Sequence, residues 1–397
     1  MITNIKNFSL KNNFYIKDKT RINKIIKEIY NNLDSKKDTF HVLSKKFTLD
    51  FNKQTLKKFI KYKSVILIGM GGSVLGAQSI YSFLKQKINK NFIFLDNLDQ
   101  IKIQKIKKKV NLKKIIFIII SKSGNTIETL VNSNLFNDTI NTNNSIIITE
   151  RKNNLLSSFA KKKKILHINH KDYVGGRYSV LTEVGMVPAY MMGLEINFFR
   201  KKILNFFKLN KNKILIESII KIARMYELKK IKSIVLLNYA PQMNEFLYWC
   251  QQLMAESLGK RGKGLLPIVS AAPRDHHSLL QLYLDGPRDK LFYIFSINLD
   301  KKMKIKNNLF GKDFKFVENK ELSEVVLSQK KALIKVLKKK NIPFREFKIK
   351  KISEETLGEL FSYFMIETAL LGKFIGINPF DQPAVEQVKI LTKKYLS

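Results

Sequence analysis

The residues with the clearest chemical content are Ser121, Lys122, Ser123, Gly124, Asn125 and Thr126. They follow Ile115–Ile120, a β-branched apolar run of the kind that forms a strand buried on both faces. Thr126 onward reads as a helix start, with Glu128 in its first turn. First-turn N–H groups lack intrahelical acceptors, and the helix dipole favours negative charge beside them. Hydroxyls donate to phosphate oxygens without adding bulk, and Lys122 supplies charge. Two readings stand: a phosphomonoester pocket, and an ordinary strand-to-helix turn, where Ser, Thr, Asn and Gly are all common.

Other candidates are weaker one by one. Gly69-Met70-Gly71-Gly72-Ser73 follows the apolar run Ser64–Ile68. Glycines in such a turn let backbone N–H groups approach a ligand. The spacing matches neither the dinucleotide fingerprint nor a P-loop. Gly175 and Gly176 precede Arg177. They either shape a backbone that presents the guanidinium or belong to a plain loop with a surface arginine, and the residues alone favour the plain loop. Glu256 lies near the end of a helix expected over 242–258, at the negative pole of its dipole. It is either a tuned base or a solvated carboxylate. His276 and His277 are two of five histidines and follow Asp275. A metal site would need ligands at helical spacing or a third convergent donor, and neither is visible. Acid–base use of one imidazole fits better.

These residues need a scaffold. Apolar runs at 64–68, 92–95, 115–120, 146–149 and 165–168 alternate with helical patterns, which predicts right-handed βαβ units and a mostly parallel sheet. Open sheets of this kind place ligands at the carboxyl ends of their strands, where both candidate loops fall. The alternation restarts near 206, with strands at 233–238, 267–270, 291–296 and 343–349. The expected organisation is a helical arm over 1–60, α/β domains over 61–205 and 206–375, and a tail over 376–397. A charged, loop-like stretch is expected over 300–320.

The 397 residues are ample for two cores, and 45% are hydrophobic. No apolar run is long enough to span a bilayer, and no signal peptide is apparent at the N-terminus. The single Cys250 fits a reducing, cytoplasmic setting. The net charge of +41 suggests nucleic acid or an anionic membrane as one reading. Compositional drift in a Lys-, Asn- and Ile-rich chain is the other. The lysines are dispersed in short runs, with no zinc-finger spacing and no aromatic–basic RNA signature. Dispersal favours drift, so neither nucleic acid nor membrane is expected as a partner.

Taken in chain order, GMGGSVLG, SKSGNTIET, GGRYSVLTEVG, QQLMAESLGK, HHSLLQL and NPFDQPAVEQVK resemble the motif set of the glucose-6-phosphate isomerase (phosphoglucose isomerase) family. The resemblance runs from residue 69 to 389. It implies two sugar-isomerase (SIS)-type doubly wound domains, a homodimer with shared active sites, and aldose–ketose isomerisation of a sugar phosphate without metal or cofactor. It implies phosphate binding by Ser73, Ser121, Lys122, Ser123 and Thr126, with Gly72 in the same turn and Gln382 contacting the phosphate end. It further implies Glu256 as the base, His277 and Lys389 in ring opening, and Arg177 stabilising the enediolate. The imidazole would come from the partner subunit. Met70 and the Ser123–Thr126 version of the loop depart from the commoner pattern, and the chain is short for the family. The loop is reminiscent of enzymes that also act on mannose 6-phosphate. A sugar-phosphate sensor without turnover is the other alternative, and the presence of Glu256, His277 and Lys389 argues against it.

Overall fold

A computed structural model describes residues 2–10, 12–109, 111–207, 209–298, 303–306 and 309–397. Its first half is built on five parallel strands: β1 (Ser64–Ile68), β2 (Asn91–Leu95), β3 (Ile115–Ile120), β4 (Ser145–Thr149) and β5 (Leu166–Asn169), in the order β2-β1-β3-β4-β5. Every residue of β3 is buried, as its unbroken apolar run requires. The chain leaves β1 toward one edge and reaches β3 on the other side. The crevice between β1 and β3 is therefore the topological switch point, and both candidate loops open into it.

The helices that cover this half and precede it are α1 (Asn12–Asn32), α2 (Lys53–Lys57), α3 (Leu75–Phe83), α4 (Gln100–Lys109), α5 (Ile127–Asn134), α6 (Leu155–Lys162) and α7 (Glu183–Met191). The second half repeats the design with β6 (Ser233–Asn238), β7 (Leu266–Ala271), β8 (Lys290–Ile297) and β9 (Phe344–Ile349), parallel in the order β7-β6-β8-β9. Its helices are α8 (Leu209–Glu227), α9 (Asn244–Leu258), α10 (Leu280–Asp285), α11 (Leu322–Lys339), α12 (Glu354–Phe374) and α13 (Glu386–Leu396). The expected α/β class and both parallel sheets are present.

One buried apolar cluster runs from β3 and β4 through α3, α7 and α9 to β6, β8 and α12. Two smaller clusters fill the outer faces of the sheets. The helix α12 is apolar nearly all round, as a helix at the centre of a core must be. Arg345 of β9 donates twice to Glu367 of α12 at 2.6 Å, with both side chains buried. Tyr363 donates to the same carboxylate at 2.6 Å. This hydrogen-bonded pair fixes how α12 sits on the second sheet.

Two local details differ from expectation. The N-terminal arm is not only helical: Ile2 and Lys6 bridge antiparallel to Phe347 and Phe344 of β9. The stretch expected to be loop-like over 300–320 lies partly outside the described residues, and within them Lys312–Val317 forms a 3₁₀ turn. Among the described residues no helix is long and apolar enough to cross a membrane.

Candidate active site

Arg177 is the hub of the site, and it is buried. It lies in the short 3₁₀ segment Gly176–Leu181. The turn after β1 packs backbone to backbone against this segment, so a Cβ on Gly72 would lie 2.7 Å from the Arg177 amide nitrogen. Only glycine allows that approach. The plain-loop reading of Arg177 therefore fails. The approach of the two turns buries the side chain, and two separate segments, the end of α9 and the tail, supply its acceptors.

Those acceptors use the whole guanidinium fork. Nε donates to Ser257 Oγ at 2.8 Å. Nη1 donates to Glu256 Oε2 at 3.3 Å and to Gln382 Oε1 at 3.0 Å. Nη2 donates to the carbonyls of Pro379 at 2.7 Å and Asp381 at 3.1 Å. A planar five-donor group suits this convergence, and a lysine would not reproduce it. Tyr178 adds a hydroxyl contact to Ser257 at 3.0 Å. Arg177 thus joins α9 to the tail.

Glu256 is held on both sides. Its Oε1 accepts from Gln252 Nε2 at 2.8 Å, one helical turn back on α9. Its side chain keeps 30% of its exposure and so remains open to a ligand. Gln252 was not among the sequence candidates. The i, i+4 spacing to Glu256 was the available signal, because it puts both side chains on one helix face. Gly71, at φ +53°, leaves room for it, since a Cβ there would sit 2.6 Å from Gln252 Nε2.

The hydroxyl-rich loop lies next to this cluster. A Cβ on Gly69 would fall 3.2 Å from the Ile120 carbonyl, so the turns after β1 and β3 are neighbours. Ser73 and Ser121 are buried. Ser121 Oγ and Thr126 Oγ1 are 2.9 Å apart, and Ser121 Oγ also accepts from the Gly124 amide at 3.2 Å. Thr126 occupies the N-cap of α5 without a side-chain bond to the first-turn amides. Val74 likewise gives α3 no side-chain cap. Two helix N-termini therefore face the switch point with uncapped donors, an arrangement that suits a phosphate dianion. Ser123 is exposed at the rim of the loop.

Lys122 is placed differently from its neighbours. Its Nζ donates to the Asp172 carbonyl at 2.7 Å and lies 3.7 Å from Glu150 Oε1. Burial pushes its pKa down, while Glu150 and Asp172 pull it back up. The ammonium is thus anchored at the side of the loop.

His277 and Lys389 stand apart from Glu256 within one chain. His277 is exposed in the turn after β7, and no hydrogen bond or ion pair links it to Glu256 or Arg177 among the described residues. Its turn is set by Asp275, which accepts from the Ala271 amide at 2.7 Å and from Ser270 at 2.9 Å. His276 is engaged, 2.7 Å from the Tyr239 hydroxyl. Lys389 is exposed on α13 and donates to Glu386 at 3.2 Å. Lys393, one turn on, lines a shallow recess with Asn125, Ile127 and Leu155, so α13 runs beside the hydroxyl-rich loop.

Two doubly wound parallel sheets, the first with its glycine-rich and hydroxyl-rich loops at a switch point, define the SIS-type fold. A hypothetical protein from Thermus thermophilus shares the fold over the whole of both chains, with a TM-score of 0.84 at 23% identity. A glucose-6-phosphate isomerase from Chlamydia trachomatis superposes with a TM-score of 0.72 at 19% identity, over 87% of this chain and 71% of its own.

Within that class, the chain belongs to the phosphoglucose isomerase family, whose sequence model matches residues 16–265. The glucose-6-phosphate isomerase of Methanocaldococcus jannaschii is 33% identical over 382 residues, covering 93% of each chain. Against that relative the chain is not short.

Proposed function

We propose that this protein interconverts glucose 6-phosphate and fructose 6-phosphate through ring opening and a cis-enediolate. Family membership supports the reaction, and the pairing of Glu256 with Gln252 and Arg177 beside a hydroxyl-lined double helix terminus carries the assignment of residues.

The phosphate sits against Ser73, Ser121, Ser123 and Thr126, with Gly72 lending its backbone, Lys122 flanking and Gln382 at the phosphate end. Binding energy from this remote group orients C1 and C2 under the base. Glu256 removes the C2 proton and returns it to C1, which needs a carboxylate within hydrogen-bond reach and free to exchange protons with carbon. Arg177 fixes one carboxylate oxygen and offsets the charge developing on the enediolate. Lys389 and His277 act in ring opening. His277, exposed and apart from Glu256 in its own chain, acts across a homodimer in this reading, so each site takes its imidazole from the partner. The two domains meet near residue 205, and the enzyme works in the cytoplasm.

The test is a coupled assay without added metal. Fructose 6-phosphate is supplied, glucose 6-phosphate is followed through its dehydrogenase, and mannose 6-phosphate is run in parallel. Turnover of fructose 6-phosphate alone is the expected result. Turnover of both would assign the Ser123–Thr126 loop to dual specificity. A folded dimer that binds sugar phosphate and converts neither would overturn the enzymatic reading.

A further inference from the structure

The turn that ends the base-bearing helix also grips the tail. Gly259 closes α9, and Lys260 to Lys263 then make a tight hairpin, with φ +52° at Arg261 and φ +71° at Gly262. Positive φ at both central residues is the signature of a type I′ turn. The amide of Lys260 donates to the Lys263 carbonyl at 3.0 Å, and the amide of Lys263 returns a bond of 2.9 Å. Both lysines point toward the chain after α12. Lys263 Nζ donates to the Ile375 carbonyl at 3.3 Å. Lys260 Nζ donates to the Asn378 carbonyl at 2.5 Å and lies 2.6 Å from Asp381 Oδ1.

The Lys260 contact differs from a surface ion pair. Its side chain is only 9% exposed, although Asp381 is half exposed. The same few residues are held from the other side by Arg177, through the carbonyls of Pro379 and Asp381 and the side chain of Gln382. Phe380, between the two grips, packs edge-on to Phe40 at 5.8 Å and tilted to Tyr178 at 5.6 Å. The 378–382 segment is therefore clamped at both ends, and one clamp is four residues from Glu256 in sequence. Donation from Lys260 holds the Asp381 carboxyl below the usual range.

We propose that Lys260 is a positioning residue that seats the 378–382 segment on Arg177. Through that seat it holds Gln382 and the helix α13 that follows in one frame with Glu256. The assignment rests on the isomerase reading of the site, because it gives Gln382 and Glu256 their tasks. Lys260 touches neither the hydroxyl loop nor Glu256 through any hydrogen bond or ion pair among the described residues.

The experiment compares full-length Lys260→Met, Lys260→Arg, Asp381→Asn and the Lys260→Met/Asp381→Asn double variant by steady-state kinetics on fructose 6-phosphate. Lys260→Met is expected to raise KM and lower kcat/KM by about 10- to 100-fold, the factor carried by loss of a charge-assisted bond. A purely structural lesion would lower the active fraction, and so apparent kcat, while leaving KM unchanged. Lys260→Arg, which can still reach a carbonyl and a carboxylate, is expected to return KM to within about threefold of the unmodified enzyme. The double variant is expected to be no worse than Lys260→Met, because both changes act through one contact.

Hydrogen exchange on the same proteins separates this proposal from the functional reading. Amides of residues 376–385 are expected to exchange faster in Lys260→Met, while those of α9 stay protected. This readout needs no turnover. Unmodified protein that fails to isomerise, with the exchange result as expected, would sink the isomerase reading and keep the seat. Unchanged exchange over 376–385, or unchanged KM in a folded Lys260→Met, would overturn the role of Lys260.

Discussion

Nη1 of Arg177 lies 3.3 Å from Glu256 Oε2 and 3.0 Å from Gln382 Oε1, so one nitrogen touches both the proposed base and the tail. The side chain is almost fully enclosed, at 1% exposure. Arg177→Lys keeps the charge and loses the fork. It leaves the Pro379 and Asp381 carbonyls and Ser257 short of donors in a buried place. A loss of about 3 kcal/mol in unfolding free energy is expected, since breaking a buried charged network by removing one partner costs on that order. The fall in kcat/KM is expected to exceed about 100-fold, beyond what the stability loss alone explains at low temperature. Urea unfolding and kinetics on the same sample check both parts.

Glu256→Gln tests the base directly. Glutamine has nearly the same shape and still accepts from Arg177 or Gln252, so the local structure is expected to survive. It cannot take a proton from carbon at neutral pH. A fall in kcat of at least about 1000-fold with near-normal substrate affinity is the expected outcome, because the interaction lost operates only in the transition state. Calorimetry of substrate binding checks affinity, and a kcat within about tenfold of the unmodified enzyme would remove Glu256 from the role.

The frame of this site was legible in the sequence to different depths. Ile115–Ile120 and Ser64–Ile68 announce buried parallel strands through composition alone, and the loops after them fall at the switch point. Glu256 was visible as a residue near a helix end, but its partners were not. Burial of Arg177 depends on Gly72 meeting Gly176 across about a hundred residues of chain, a contact that local pattern cannot encode. The bridges from Ile2 and Lys6 to β9 are equally remote in sequence. Gln252 was missed for a simpler reason. A glutamine on a helix has no chemistry of its own until a carboxylate is seen one turn away.

Lys122 sits between two tasks. In the structure its ammonium is anchored by the Asp172 carbonyl and flanked by Glu150. Its neighbours Ser121 and Thr126 face each other at the N-terminus of α5. A lysine that contributes to phosphate binding does so equally in ground and transition states. Lys122→Ala is therefore expected to raise KM by about tenfold or more while kcat changes by less than about threefold. Inhibition by inorganic phosphate should weaken in parallel. Unchanged KM and phosphate inhibition would make Lys122 a structural anchor for the 170–173 segment instead.

His170 gives the fold a specific acid sensitivity. It ends the first sheet just after β5 and is fully enclosed. A carbonyl only accepts, so the 3.0 Å contact with the Lys171 carbonyl puts the proton on Nδ1. Nε2 is buried without a hydrogen-bond partner among the described residues. Burial pushes the imidazole down from 6.5 to about 4, the bond to Lys171 opposes this, and the charge of Lys122 adds to the depression. The unfolded chain therefore binds more protons than the folded one between these values. Stability is full above about pH 6.5, falls as pH drops toward about 4, and is level below that, with a total change of about 3 kcal/mol from this group. Glu183, buried nearby with its carboxyl pushed up, titrates with the opposite sign. A direct comparison cancels that term. Urea midpoints of the unmodified protein and His170→Asn at about pH 7 and about pH 4.5 are expected to differ in their pH dependence, with the variant losing less on acidification. Equal losses in both proteins would show that His170 is not the acid-sensitive group.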